Sequence, residues 1–202
     1  FNPGKIVDTP PIDTSLRHGP EGGTPEIETV FDFSDSLGVV RAAEQCNGSG
    51  DCRKGPQAGG AMCPSYMATR EEKHTTRARA NMLRQILTNP ADPEQPFNSD
   101  ELKVVMDLCL SCKACKSECP SSVDMTKLKA EFQQHYHDAH GVPLRSRIIA
   151  HFADSARFAS LAPGLYNAIL QTPLLRRIVN RVLGFHPERS MPKLNKITLY
   201  LG

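Results

Sequence analysis

Four cysteines within eleven residues, Cys109, Cys112, Cys115 and Cys119, run directly into Pro120 and carry the strongest chemical signal in the chain. Their spacing, C-x2-C-x2-C-x3-C-P, is that of an iron–sulfur ligand run. In two-cluster proteins its first three thiolates hold one cluster and its fourth reaches across to another. The spacing has a physical reason: thiolates three residues apart on a tight loop wrap three corners of a cubane, and the fourth corner must be met from elsewhere. A zinc-binding structural module is the weaker alternative, because tetrahedral zinc draws two ligand pairs from separated knuckles.

The remaining three cysteines supply the other half. Cys46 and Cys52 frame Asn-Gly-Ser49-Gly-Asp, the same run with a serine at the middle position, and Cys63-Pro64 repeats the cysteine–proline ending after a Gly- and Pro-rich loop. Crossed ligation then assigns Cys63, Cys109, Cys112 and Cys115 to a first [4Fe–4S] cluster. Cys46, Cys52 and Cys119 fall to a second, one thiolate short, which is either [3Fe–4S] or a [4Fe–4S] cluster with a non-cysteine ligand. Ser49 is one candidate for that ligand, although a turn residue between Gly48 and Gly50 is the slightly favoured reading. His74 is the other side chain to watch.

Composition fits an electron carrier. Seven cysteines, odd in number and clustered, argue against a disulfide framework. Thiolates kept for metal imply a reducing, cytoplasmic compartment. A net charge of +2 and the lack of tryptophan give no sign of a nucleic-acid groove. No apolar stretch reaches the ~20 residues of a membrane span, which leaves a soluble chain or peripheral membrane contact.

The elements that must position these loops read as helices, so the expected fold is all-α, helical and ferredoxin-like. Residues 1–35, rich in Pro and Gly, read as a linker or tail. Residues 36–142 read as the two-cluster domain: a short helix from Ser36 into Cys46, a helix over Thr69–Leu87, a Ser99-capped helix to Leu108, and an Asp124-capped helix to His140. Residues 143–202 read as a helical extension, with helices over Arg145–Leu161, Gly164–Leu170 and Pro173–Leu183, and a short strand over Lys196–Leu201. The basic residues Arg70, Lys73, Arg77, Arg79 and Arg84 read first as a solvated helix face, and secondly as cations that tune an anionic cluster.

Several stretches resemble the FAD-linked 2-hydroxyacid dehydrogenases that carry an iron–sulfur domain behind a flavin domain, D-2-hydroxyglutarate and D-lactate dehydrogenase-like members included. They are the opening Phe1-Asn-Pro-Gly-Lys-Ile6, Cys46 to Lys54, Met62 to Glu72, Arg77 to Arg84 and Asp107 to Pro120. The resemblance implies a fragment that follows an FAD domain. In such a protein, flavin oxidises a D-2-hydroxy acid and the clusters pass single electrons to a quinone or protein acceptor. It implies no catalytic acid or base in this chain. A discrete iron–sulfur subunit of another respiratory complex, of succinate, glycerol-3-phosphate or heterodisulfide type, is the competing reading.

Overall fold

The computed structural model describes residues 8–14, 22–55 and 57–195; the opening Phe1–Ile6 and the expected strand at Lys196–Leu201 lie outside them. Among the described residues every regular element is helical, ten α-helices and three short 3-10 turns. The chain forms two compact units, Phe1–Ala139 and His140–Gly202.

In the first unit, α1 (Val39–Glu44), α2 (Pro64–Thr69), α3 (Thr76–Thr88), α4 (Asp100–Asp107), α5 (Ala114–Glu118) and α6 (Met125–His140) surround one core. α3 turns Ala80, Leu83 and Leu87 inward and packs between α1 and α4. α4 answers with Leu102 and Met106, while Met125, Leu128 and Phe132 of α6 complete the core at helical spacing. The expected caps hold. Ser99 Oγ accepts from the Leu102 N–H, and Asp124 Oδ1 accepts from the Lys127 N–H. Each such cap is worth about 1 kcal/mol.

The expected helix over Thr69–Leu87 is broken. The chain leaves α2 through Arg70 in the left-handed region (φ 60°), makes a 3-10 turn at Glu72–His74, and restarts after Thr75. Extended Thr75 accepts from the Ala78 N–H through its hydroxyl and so opens α3. The segment Arg70–His74 is charged or polar in either conformation, so the apolar stripe alone could not place the break.

Chain ahead of α1 is pinned by a buried carboxylate. Glu131 on α6 accepts from the Val30 and Phe31 N–H groups at 2.7 and 2.9 Å and pairs with His135 at 2.8 Å.

The second unit holds α7 (Leu144–Ala150), α8 (Phe152–Ala159), α9 (Pro163–Gln171) and α10 (Pro173–Val182). The helix expected over Arg145–Leu161 is thus two, parted at His151. Buried Asn180 donates to the carbonyls of His186, Pro187 and Arg189 and ties the following loop to α10.

Candidate metal centre

The second cysteine loop leaves α4 at Leu108 and is tightly wound. Ser111 and Lys113, one in each gap between Cys109, Cys112 and Cys115, adopt left-handed φ of 54° and 64°. Such values are costly for residues with a Cβ and gather where the surroundings over-determine the backbone. α5 then separates Cys115 from Cys119 by one helical turn, with the Cys119 N–H donating to the Cys115 carbonyl at 3.1 Å. Pro120 forces its predecessor out of helical geometry, and Cys119 is extended (φ −75°, ψ 129°).

Cys63, Cys109, Cys112 and Cys115 line one small cavity, together with Arg79, Thr76, Met125 and neighbouring residues. Cys119, half-buried, packs against the core instead. Cys46 and Cys52 are buried in the first loop. Cys63 stands between the groups, because it faces the cavity while its thiol also reaches Cys52. The thiol of Cys63 donating to Cys52 is the main reason Cys52 is held down to about 6; burial opposes it and the Arg77 N–H reinforces it. Cys63 itself is pushed well above the usual thiol range by that shared proton and by burial. Burial likewise raises Cys115, and the neighbouring Cys109 and Cys112 add to the effect.

Helix N-termini supply donors to these sulfurs. The Thr76 N–H at the start of α3 donates to Cys63 Sγ at 3.1 Å, and the Thr76 hydroxyl lies 2.9 Å from the same sulfur. The Met125 N–H that opens α6 is directed at Cys115. Donors and positive helix ends both favour an anion at this place.

Two cations complete the site. Arg79, 1 % exposed, lines the cavity and donates to the carbonyls of Val105 and His74 and to Ser65 Oγ. No described carboxylate pairs with it. Lys129, 6 % exposed, donates to the Cys109 carbonyl at 2.6 Å. A buried guanidinium without a carboxylate is costly unless an anion accompanies it. Four thiolates around a cavity beside such a cation fit an anionic, thiolate-ligated cluster. Among the described residues no three Cys, His, Asp or Glu side chains converge as they would around a single metal ion.

Residues 45–124 match the 4Fe-4S dicluster domain family. The matched stretch takes in all seven cysteines, from Cys46 to Cys119. Curated relatives named D-2-hydroxyglutarate dehydrogenase include those of Escherichia coli (strain K12), 28 % identical over 97 % of this chain and 22 % of the relative, and of Pantoea ananatis (strain AJ13355), 30 % identical over 66 % of this chain and 16 % of the relative. The "Probable glycolate oxidase iron-sulfur subunit" of Bacillus subtilis (strain 168) is 27 % identical over 61 % of this chain and 29 % of its own length. The chain spans about a fifth of the length of the first of these relatives. No solved structure matches. The expected all-α architecture is met among the described residues, and the expected iron–sulfur domain has its match over residues 45–124.

The non-cysteine candidates fall as follows. Ser49 is exposed, and its N–H donates to Asn47 Oδ1 at 3.0 Å in a local turn. His74 is buried, with Nδ1 2.7 Å from Thr69 Oγ1 and its carbonyl holding Arg79. The solvated-face reading of the basic residues is corrected at Arg79, which faces inward.

Sequence reasoning passed over Glu118, Lys129 and Glu131. The carboxylate of Glu118 accepts from the Ala61 and Met62 N–H groups at 2.7 and 3.2 Å and pairs with Lys54 at 3.2 Å. It thereby staples the first cysteine–proline turn to the second. A Cβ at Gly60 would lie 2.4 Å from Glu118 Oε2, so this approach requires glycine.

Proposed function

We propose that the domain relays single electrons through two clusters, from a flavin that oxidises a D-2-hydroxy acid to a quinone or protein acceptor. Cys63, Cys109, Cys112 and Cys115 hold the first [4Fe–4S] cluster. Cys46, Cys52 and Cys119 hold the second, with its remaining position left to a non-cysteine ligand, Ser49, His74 or solvent. The observation that carries the reading is the four-cysteine cavity with Arg79 buried beside it and unpaired by any described carboxylate. When bound, the clusters supply reversible one-electron chemistry. The chain's own part is to hold thiolates in place, aim N–H donors at their sulfurs and bury compensating charge.

The relatives' names favour D-2-hydroxyglutarate as substrate; D-lactate, which the sequence resemblance implies, is the neighbouring choice. The flavin belongs to the remainder of a longer polypeptide. The Bacillus subtilis relative, named as a subunit, supports the second arrangement, a flavin on a separate chain. Among the described residues no helix is long and apolar enough to cross a membrane, and ligand thiolates suit a reducing cytoplasm.

The test uses the complete flavin-containing protein, purified without oxygen and mixed with D-2-hydroxyglutarate, D-lactate or glycolate. Cluster reduction, read by electron paramagnetic resonance, should follow flavin reduction with D-2-hydroxyglutarate. Flavin that reduces while both clusters stay oxidised would overturn the relay.

A further inference from the structure

We infer that Arg79 and Lys129 form a buried cationic pair that raises the reduction potential of the first cluster selectively over the second. The inference rests on the two-cluster reading above and adds a role for residues that ligate nothing.

The argument begins with what the two side chains lack. Among the described residues, the three hydrogen bonds of Arg79 end on neutral oxygens, two carbonyls and one hydroxyl. Lys129 Nζ is held by the carbonyl of Cys109, itself on the cavity wall. Asp107, the carboxylate whose charge Lys129 feels, is engaged by Lys103 at 2.6 Å. Lys129 also feels the repulsion of Arg79. Two like charges buried near one another without carboxylate partners are an unfavourable arrangement for the polypeptide alone. An anion in the cavity reverses the sign, and a further electron on that anion reverses it more strongly. The cations therefore stabilise the reduced cluster over the oxidised one, which is a rise in potential.

The cations on the first-loop side are arranged differently. Arg77, whose N–H reaches Cys52, forms a two-nitrogen contact with Glu72 at 2.6 and 2.8 Å. Arg53 joins the same carboxylate at 3.1 Å. Lys54 is taken by Glu118 at 3.2 Å. These pairs are nearly neutral at a distance and partly open to water, so they exert little net field on a neighbouring cluster.

The experiment is a potentiometric titration of the complete, cluster-loaded protein, with each cluster followed by its own paramagnetic signal. The variants are Arg79→Gln, Arg79→Lys, Lys129→Gln and, as control, Arg77→Gln. In Arg79→Gln and Lys129→Gln the reduced-to-oxidised ratio of the first cluster at a fixed potential should fall about tenfold, a shift of about 59 mV for a one-electron couple. Arg79→Lys keeps the charge while losing the forked hydrogen bonds and should restore most of the potential. Arg77→Gln should move neither cluster by a comparable amount. The effect should persist in salt that screens surface charge.

Unchanged first-cluster potentials in variants with full iron content, or equal shifts of both clusters, would overturn the inference. Should Arg79→Gln fail to fold, Lys129→Gln decides alone. A wild-type protein without two cluster signals would instead sink the underlying two-cluster reading, and is distinguished by its iron content before any variant is compared.

Discussion

Beside Cys52 and the first cysteine–proline turn, cations meet carboxylates near the surface: Arg53 and Arg77 share Glu72, and Lys54 holds Glu118. Beside Cys109 and Cys115, Arg79 and Lys129 are buried and touch carbonyls and a hydroxyl. Burial of the cysteines runs the other way. Cys46, Cys52 and Cys63 are all buried, whereas Cys112 lies exposed in the second loop. The loop with an exposed sulfur thus has the buried charge compensation, and the loop with buried sulfurs has its cations neutralised. Potential follows net charge, sulfur hydrogen bonds and solvent exposure. Two loops with nearly the same ligand pattern can therefore sit at different potentials, for reasons their spacing does not express.

The largest break in this comparison comes from removing a ligand on one side. Cys112→Ala should lower bound iron by about one cluster, on the order of four irons, and leave the second cluster's signal in place. Iron analysis alongside resonance spectra checks this. An unchanged iron count would contradict the four-cysteine site.

A smaller effect comes from loosening the staple between the loops. Glu118→Gln keeps one acceptor oxygen where the carboxylate offers two, so one of the Ala61 and Met62 contacts is lost. Faster hydrogen exchange at those amides and faster iron release to a chelator are expected, with no change in the helices. The same contact sets a pH dependence. The Ala61 N–H, with Lys54 and the Met62 N–H, holds Glu118 below its ordinary carboxylate value. Its contribution is therefore complete above the unfolded value of ~4.3 and is lost as pH falls through the lower folded value. Iron release measured against pH should show that acid limb in the wild type, and Glu118→Gln should flatten it.

Ser49→Cys should have the smallest effect. Ser49 is exposed in a turn held by Asn47, so a cysteine there should leave iron content and any three-iron signal as they were. Conversion of that signal to a four-iron one would instead place residue 49 at the second cluster.

Much of this was legible in the sequence because the information is local. Cysteine spacing, the Ser99 and Asp124 caps, and the prolines after Cys63 and Cys119 act over a few residues each. The misread segment at Arg70–Thr75 shows the limit. A left-handed residue and an extended threonine cap interrupt a helix without disturbing its charge pattern. Glu118 and Glu131 escaped for another reason. Their partners lie 57 and about 100 residues away, a separation at which a carboxylate on a helix looks like any solvated acid. Arg79 was seen only as one of five basic residues, since nothing local marks which of them the fold turns inward.

Beneath the comparison lies the claim that Cys63 crosses to the second loop's cluster while Cys119 crosses back. A crystal structure of the anaerobically prepared, cluster-loaded protein, with iron positions fixed by anomalous scattering, tests it most directly. The expected result is Cys63 Sγ bonded to the same cubane as Cys109, Cys112 and Cys115, with Cys119 Sγ on the other cluster beside Cys46 and Cys52. Cys119 and Cys109 bonded to one cubane, with Cys63 returned to Cys46 and Cys52, would contradict it.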